Sequence, residues 1–147
     1  MLKQAEFLGK KQHVAFYGLK RNGKGFARDV LNGLREAYPQ KQFTIVHPMA
    51  SELQEHSVST SAAAIEPSPD YAIVVLKAAD AKRAIDDAYQ AGIARIWLAI
   101  GCDSQDNLSY ARELGMDAIG GCPLLFAPGQ GFPHNFHRWL AKLFGKL

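Results

Sequence analysis

Five short apolar runs, separated by stretches whose apolar residues return at helical spacing, constrain this chain more than any other feature. The runs are His13 to Gly18, Gln42 to His47, Tyr71 to Leu76, Arg95 to Ile100 and Met116 to Gly120. Several are apolar throughout, as strands covered on both faces are. Between them, Gly25 to Tyr38 places Phe26, Val30, Leu31 and Leu34 on one stripe. Asp80 to Ala91 does the same with Ala81, Ala84, Ile85 and Ala88, and Ser104 to Leu114 with Leu108, Ala111 and Leu114. Ser104 reads as an N-cap, and Gly92 and Gly115 as helix stops. Strands alternating with helices form βαβ units, whose crossovers are right-handed and whose sheet is parallel. The expected fold is therefore α/β: a Rossmann-like, doubly wound, parallel five-stranded sheet of order 3-2-1-4-5 with helices on both faces. The less regular stretch from Ala50 to Asp70 is expected to be a loop with a short helix.

Length and composition narrow the class. At 147 residues the chain is expected to be one domain, with its core at about 12–126. Hydrophobic residues at 48% and charged residues at 21% exclude disordered, collagen-like and coiled-coil architectures. No apolar run approaches the roughly 20 residues that cross a bilayer, and the first residues carry no apolar signal core, so a cytoplasmic protein is expected. The last segment, about 134–146, carries Phe136, Trp139, Leu140, Leu143 and Phe144 at helical spacing. It reads as a C-terminal helix that docks on the sheet or serves a second copy or a partner protein.

Charge is unevenly spread. Residues 1–47 hold nine Lys or Arg against three acids, and residues 48–147 hold eight against eleven. The basic bias surrounds the first strand and the loop after it, a field suited to an anion. No long basic run with interleaved aromatics accompanies it, which disfavours nucleic acid.

That loop is Gly18, Leu19, Lys20, Arg21, Asn22, Gly23, Lys24 and Gly25. Its glycines permit a sharp turn and close approach of a ligand to backbone, and the helix start behind it favours phosphate. Lys20, Arg21 and Lys24 would add charge-assisted contacts. The spacing is neither GxGxxG nor a Walker A loop. An NAD site would also want an acid at the end of the second strand, where this chain has His47 and Pro48. A nucleotide with an extra ribose phosphate, NADP or coenzyme A, avoids that requirement. In doubly wound sheets ligands bind beyond the carboxyl ends of the strands at the reversal of strand order, which adds Lys77 and Gly101 to the candidates. Gly18→Val combined with Lys24→Glu is expected to abolish nucleotide binding in a chain that stays folded.

The segments Val14-Ala15-Phe16-Tyr17-Gly18-Leu19, Val46-His47-Pro48, Ile96-Trp97-Leu98 and Gly120-Gly121-Cys122-Pro123, taken in order, resemble the small stand-alone CoA-binding proteins. That family is similar to the CoA-binding domain of the succinyl-CoA synthetase α subunit. The resemblance implies a Rossmann-like domain that binds coenzyme A or an acyl-CoA, with phosphates on Gly18 to Gly25 and the nucleotide beside His47-Pro48. It implies binding more readily than catalysis. The chain departs from the family where Leu76-Lys77-Ala78-Ala79 replaces a Pro-containing turn, where Ala99-Ile100-Gly101-Cys102 keeps only the glycine, and where His47 replaces Asn.

Two alternatives remain at this stage: a small NADP-dependent oxidoreductase or CoA-using transferase, and a protein-interaction subunit with a vacant site. Cys102 and Cys122 each follow a strand, so either could be a reactive thiol, although an inert buried cysteine is the commoner case. His134 and His137 stand three apart without a supporting HExxH or paired CxxC motif, so no metal is expected. Gly129 to Pro133 reads as a turn or a covering loop. Asp86 and Asp87 fall within a helix and are expected to face solvent.

Overall fold

The structure is a computed structural model and describes residues 13–20, 25–47 and 58–121. Strand β1 (His13–Tyr17) leads to helix α1 (Phe26–Ala37), strand β2 (Gln42–Val46) and a two-residue strand β3 (Val58–Ser59). A 3-10 turn at Ala62–Ala64 precedes β4 (Tyr71–Val74). A second 3-10 turn, Ala78–Asp80, runs into α2 (Ala81–Gln90), followed by β5 (Arg95–Leu98), α3 (Gln105–Glu113) and β6 (Asp117–Gly120).

All pairings are parallel, in the order β3-β2-β1-β4-β5-β6. The expected order 3-2-1-4-5 stands, extended by a sixth strand, with one reassignment. Val58–Ser59 takes the outer place beside β2, and the Tyr71 run pairs with β1, Val14 opposite Tyr71 and Tyr17 opposite Val74. The reassignment has a simple cause: a two-residue strand has no measurable period, so counting apolar runs passes over it and misnumbers those that follow. The reversal of strand order consequently lies between β1 and β4.

Because side chains alternate across a strand, the sheet builds two cores. Val14, Phe16, Phe43, Ile45, Tyr71, Ile73 and Trp97 pack on one face with Val30, Leu31 and Leu34 of α1. Ala15, Tyr17, Ala72, Val74, Ile96 and Leu98 pack on the other with Ala81, Ala84, Ile85 and Ala88 of α2 and Ala111 of α3. Of the stripes expected from periodicity, Val30, Leu31 and Leu34 of α1 and Ala81, Ala84, Ile85 and Ala88 of α2 are buried and Phe26 is half-buried; each fully buried Val, Leu or Ile side chain contributes about 1.5–3 kcal/mol.

Local chemistry sets the helix ends. Asp29 in the first turn and Arg35 in the last complement the α1 dipole, and Pro39 prevents its continuation. The Ser104 hydroxyl accepts from the Asn107 N–H at 3.2 Å, the expected N-cap of α3. On α3, however, Leu108 and Leu114 are only half-buried and Asn107 is buried. Its amide donates to the Ala78 and Cys102 carbonyls at 3.0 Å each, tying α3 to the turn before α2. Among the described residues, no helix is long and apolar enough to cross a membrane.

Candidate functional site

A cleft of about 580 Å³ opens at the carboxyl edge of the sheet, within the size range of small-molecule sites. Its floor is the end of β1 and the residues after it, Tyr17, Gly18, Leu19 and Lys20. Val46 and His47 at the end of β2 and Thr60 after β3 form one side. Leu76 after β4 and the start of α2 form the other, with Asp80, Arg83, Ala84 and Asp87 facing in. The cleft adjoins the point where strand order reverses, the place where open α/β sheets bind ligands.

Gly18 permits the floor to exist. Its φ is +117°, and a Cβ there would lie 1.9 Å from the Val75 carbonyl oxygen. The backbone leaving β1 is therefore pressed against the backbone leaving β4, a contact open to glycine alone. Gly18→Val consequently tests folding, so the expectation that the chain stays folded with this substitution does not hold.

Lys20 is exposed, and its Nζ lies 3.8 Å from the position a Cβ would take on Gly25, the N-cap residue of α1. An ammonium and a helix start, both attractive to anions, thus stand together at the mouth of the β1–α1 connection.

On the α2 side a single carboxylate oxygen joins three elements. Asp87 Oδ2 accepts from the Tyr17 hydroxyl at 2.7 Å and from the Ala62 N–H at 2.9 Å. Burial, then the hydrogen bond to Asp87, then its charge, push the Tyr17 phenol far above its usual range, so it stays a neutral donor. Asp86 accepts from the Tyr110 hydroxyl. The solvent-facing role expected of this acidic pair is corrected by these bonds: both carboxylates are half-buried and joined to tyrosines on other elements.

Of the residues singled out in the sequence, Gly18, Leu19, Lys20 and His47 line the cleft, and Gly25 begins α1 beside Lys20. The His47 N–H donates to the Ser59 carbonyl at 2.9 Å, so β3 fixes the backbone at the end of β2. Lys77 and Gly101 lie on the same sheet edge but outside the cleft lining. Cys102 is fully buried, its thiol donating to the Val74 carbonyl at 3.2 Å, and burial pushes its pKa up to about 11. That is the environment of a packed, unreactive thiol. Arg21, Asn22, Gly23, Lys24, Pro48, Cys122, the segment 129–133 and the helix expected at 134–146 with His134 and His137 lie outside the described residues. No group of three or more metal-ligating side chains forms among the described residues.

Sequence reasoning missed Asp80, Arg83 and Asp87 as lining residues. The signal was present: they recur at i, i+3 and i+7, a polar stripe that starts at the N-cap of α2 and runs beside the apolar one.

Three comparisons with known proteins bear on this architecture. A model of the CoA binding domain matches residues 12–128. The PH1109 protein redesigned for binding superposes with a TM-score of 0.73 and 18% identity, over 85% of this chain and 87% of that one. A Thermus thermophilus protein gives 0.71 and 16%, over 85% and 94%. The dinucleotide-forming acetyl-coenzyme A synthetase 1 of Ca. Korarchaeum cryptofilum, in complex with phosphate and ADP, gives 0.65 and 16%, over 82% of this chain and 28% of that one. At such identities the likeness is one of fold. No curated protein matches.

Proposed function

The chain belongs to the CoA binding domain family, and from that premise we propose that it holds coenzyme A or an acyl-CoA in the cleft at the carboxyl ends of β1 and β2, as a binding protein without catalysis of its own. The observation that carries the reading is the coincidence of three features: the cleft, the reversal of strand order, and Lys20 beside the start of α1. The ligand's pyrophosphate lies on the Gly18–Gly25 connection, where Lys20 and the helix dipole act on it together. The adenosine occupies the space between His47 and α2. The lack of an acid at the end of β2 suits a ribose whose hydroxyl is phosphorylated, because an acid there would repel the phosphate.

The reading as a binder is supported, among the described residues, by three groups. Asp87 is engaged by two donors, Tyr17 is held protonated, and Cys102 is buried away from the lining. A thermal-shift comparison of coenzyme A, acetyl-CoA, NADP and NAD tests the reading. A ligand at a hundred times its Kd adds about 2.7 kcal/mol, which raises the midpoint of a chain this size by roughly 5–10 °C. A shift with the CoA compounds alone is the expected result. A shift with NADP alone, or with none of the four, overturns it.

A further inference from the structure

The cleft carries a second cationic position on a different element from the first. Lys20 follows β1, whereas Arg83 projects from the first turns of α2, and both line the same cavity. Arg83 is exposed and forms no ion pair among the described residues. Two carboxylates share its helix face. Asp87, one turn later, is committed through one oxygen to Tyr17 and Ala62. Asp80, one turn earlier, offsets part of the guanidinium charge through solvent but has no fixed bond to it. Arg83 therefore keeps donors available to a ligand, in the planar fork that suits a phosphate oxygen pair.

On the proposed reading the pyrophosphate lies with Lys20 and the start of α1. Arg83, on the α2 side of the cleft rather than its floor, is then available to a second anionic group, and Val46-His47 provides no carboxylate to hold a free ribose diol. We infer that Arg83 is the specificity-determining residue for the ribose 3′-phosphate, so that the cleft selects coenzyme A over dephospho-coenzyme A. The inference rests on the reading of the cleft as a CoA site and adds which group of that ligand α2 reads.

The test is isothermal titration of the full chain and of Arg83→Gln with coenzyme A and with dephospho-coenzyme A, which differ by that phosphate alone. One charge-assisted phosphate contact is worth about tenfold or more in Kd. In the unsubstituted chain coenzyme A binds at least about tenfold tighter, and in Arg83→Gln the two Kd values converge through loss of coenzyme A affinity alone. Circular dichroism confirms that this exposed substitution leaves the fold intact. Equal affinities in the unsubstituted chain, or an equal loss for both compounds in Arg83→Gln, overturn the role of Arg83 while leaving the CoA reading standing. Binding of neither compound to the unsubstituted chain overturns the CoA reading and this inference with it.

Discussion

Gly18 and Val75 face each other across the two central strands so closely that a Cβ on the glycine would sit 1.9 Å from the valine's carbonyl oxygen. Val75 is held there by its N–H, which donates to the Tyr17 carbonyl at 2.9 Å, so neither backbone can withdraw without breaking the β1–β4 ladder. Gly18→Ala combines this clash with a φ of +117°, and the expected loss is about 3 kcal/mol or more. Urea denaturation measures it. A variant as stable as the parent would show that the strands can separate at this point.

Lys20→Ala isolates ligand recognition from folding. The side chain is exposed, so the unliganded midpoint stays within about 2 °C. Affinity for coenzyme A falls about tenfold by titration calorimetry. Unchanged affinity would move the phosphates away from the start of α1.

The Tyr17–Asp87 bond calls for a double-mutant cycle. Asp87→Ala removes the acceptor of both Tyr17 and Ala62 and is expected to cost about 2–4 kcal/mol, and Tyr17→Phe about 1–2 kcal/mol. Because the two groups touch, the double variant loses less than the sum, by about 1 kcal/mol. Strict additivity, read from chemical denaturation, would show that the bond contributes nothing.

Alkaline pH destabilises the fold in a defined window. The folded Cys102 pKa is raised from 9.0 to about 11, so the folded state keeps a proton that the unfolded chain releases. The contribution is fully present below pH 9 and is lost as pH rises from 9 to about 11, by roughly 2–3 kcal/mol in all. Tyr17 and Tyr71, raised by burial first, add to the loss only above their unfolded value of 10.0. Urea titrations between pH 8 and 10 therefore report chiefly Cys102, and Cys102→Ala flattens that part of the curve. The same burial predicts that iodoacetamide leaves Cys102 unmodified in the native protein at pH 8, as peptide mapping will record.

Asn107→Ala leaves the Ala78 and Cys102 carbonyls without their shared donor and is expected to cost about 1–3 kcal/mol. Asn107→Asp, which keeps the shape but replaces donors with a charge, costs at least as much. Thermal denaturation ranks the two variants.

The fold was largely legible because its signals are local. Each of the five apolar runs contains an observed strand, and the α1 and α2 stripes, apart from the half-buried Phe26, are buried as their periodicity implies. Ser104 caps α3 through a contact three residues away, a distance at which sequence pattern is informative. What escaped is non-local or too short to have a pattern. Two residues sufficed for β3, and the side on which β4 pairs is decided by the packing of the whole sheet. Of the cleft lining, Gly18 and His47 directly follow strands and Lys20 comes two residues after Gly18, which is why reasoning from strand ends reaches them. It does not reach Asp87, since its partner Tyr17 stands 70 residues earlier and an acid on a helix ordinarily reads as solvated surface.

The oxygen that Asp87 shares between Tyr17 and Ala62 has a consequence for how the cleft receives anything at all. It joins strand β1, the turn after β3 and helix α2, so these parts of the cleft are tied to one another by hydrogen bonds and not by apolar packing alone. A receptor arranged in advance loses little chain entropy on association, and its preferences are set by the fit of rigid surfaces. On the proposed reading, walls tied in this way do not shift to replace the Arg83 contact that a ligand one phosphate short fails to make.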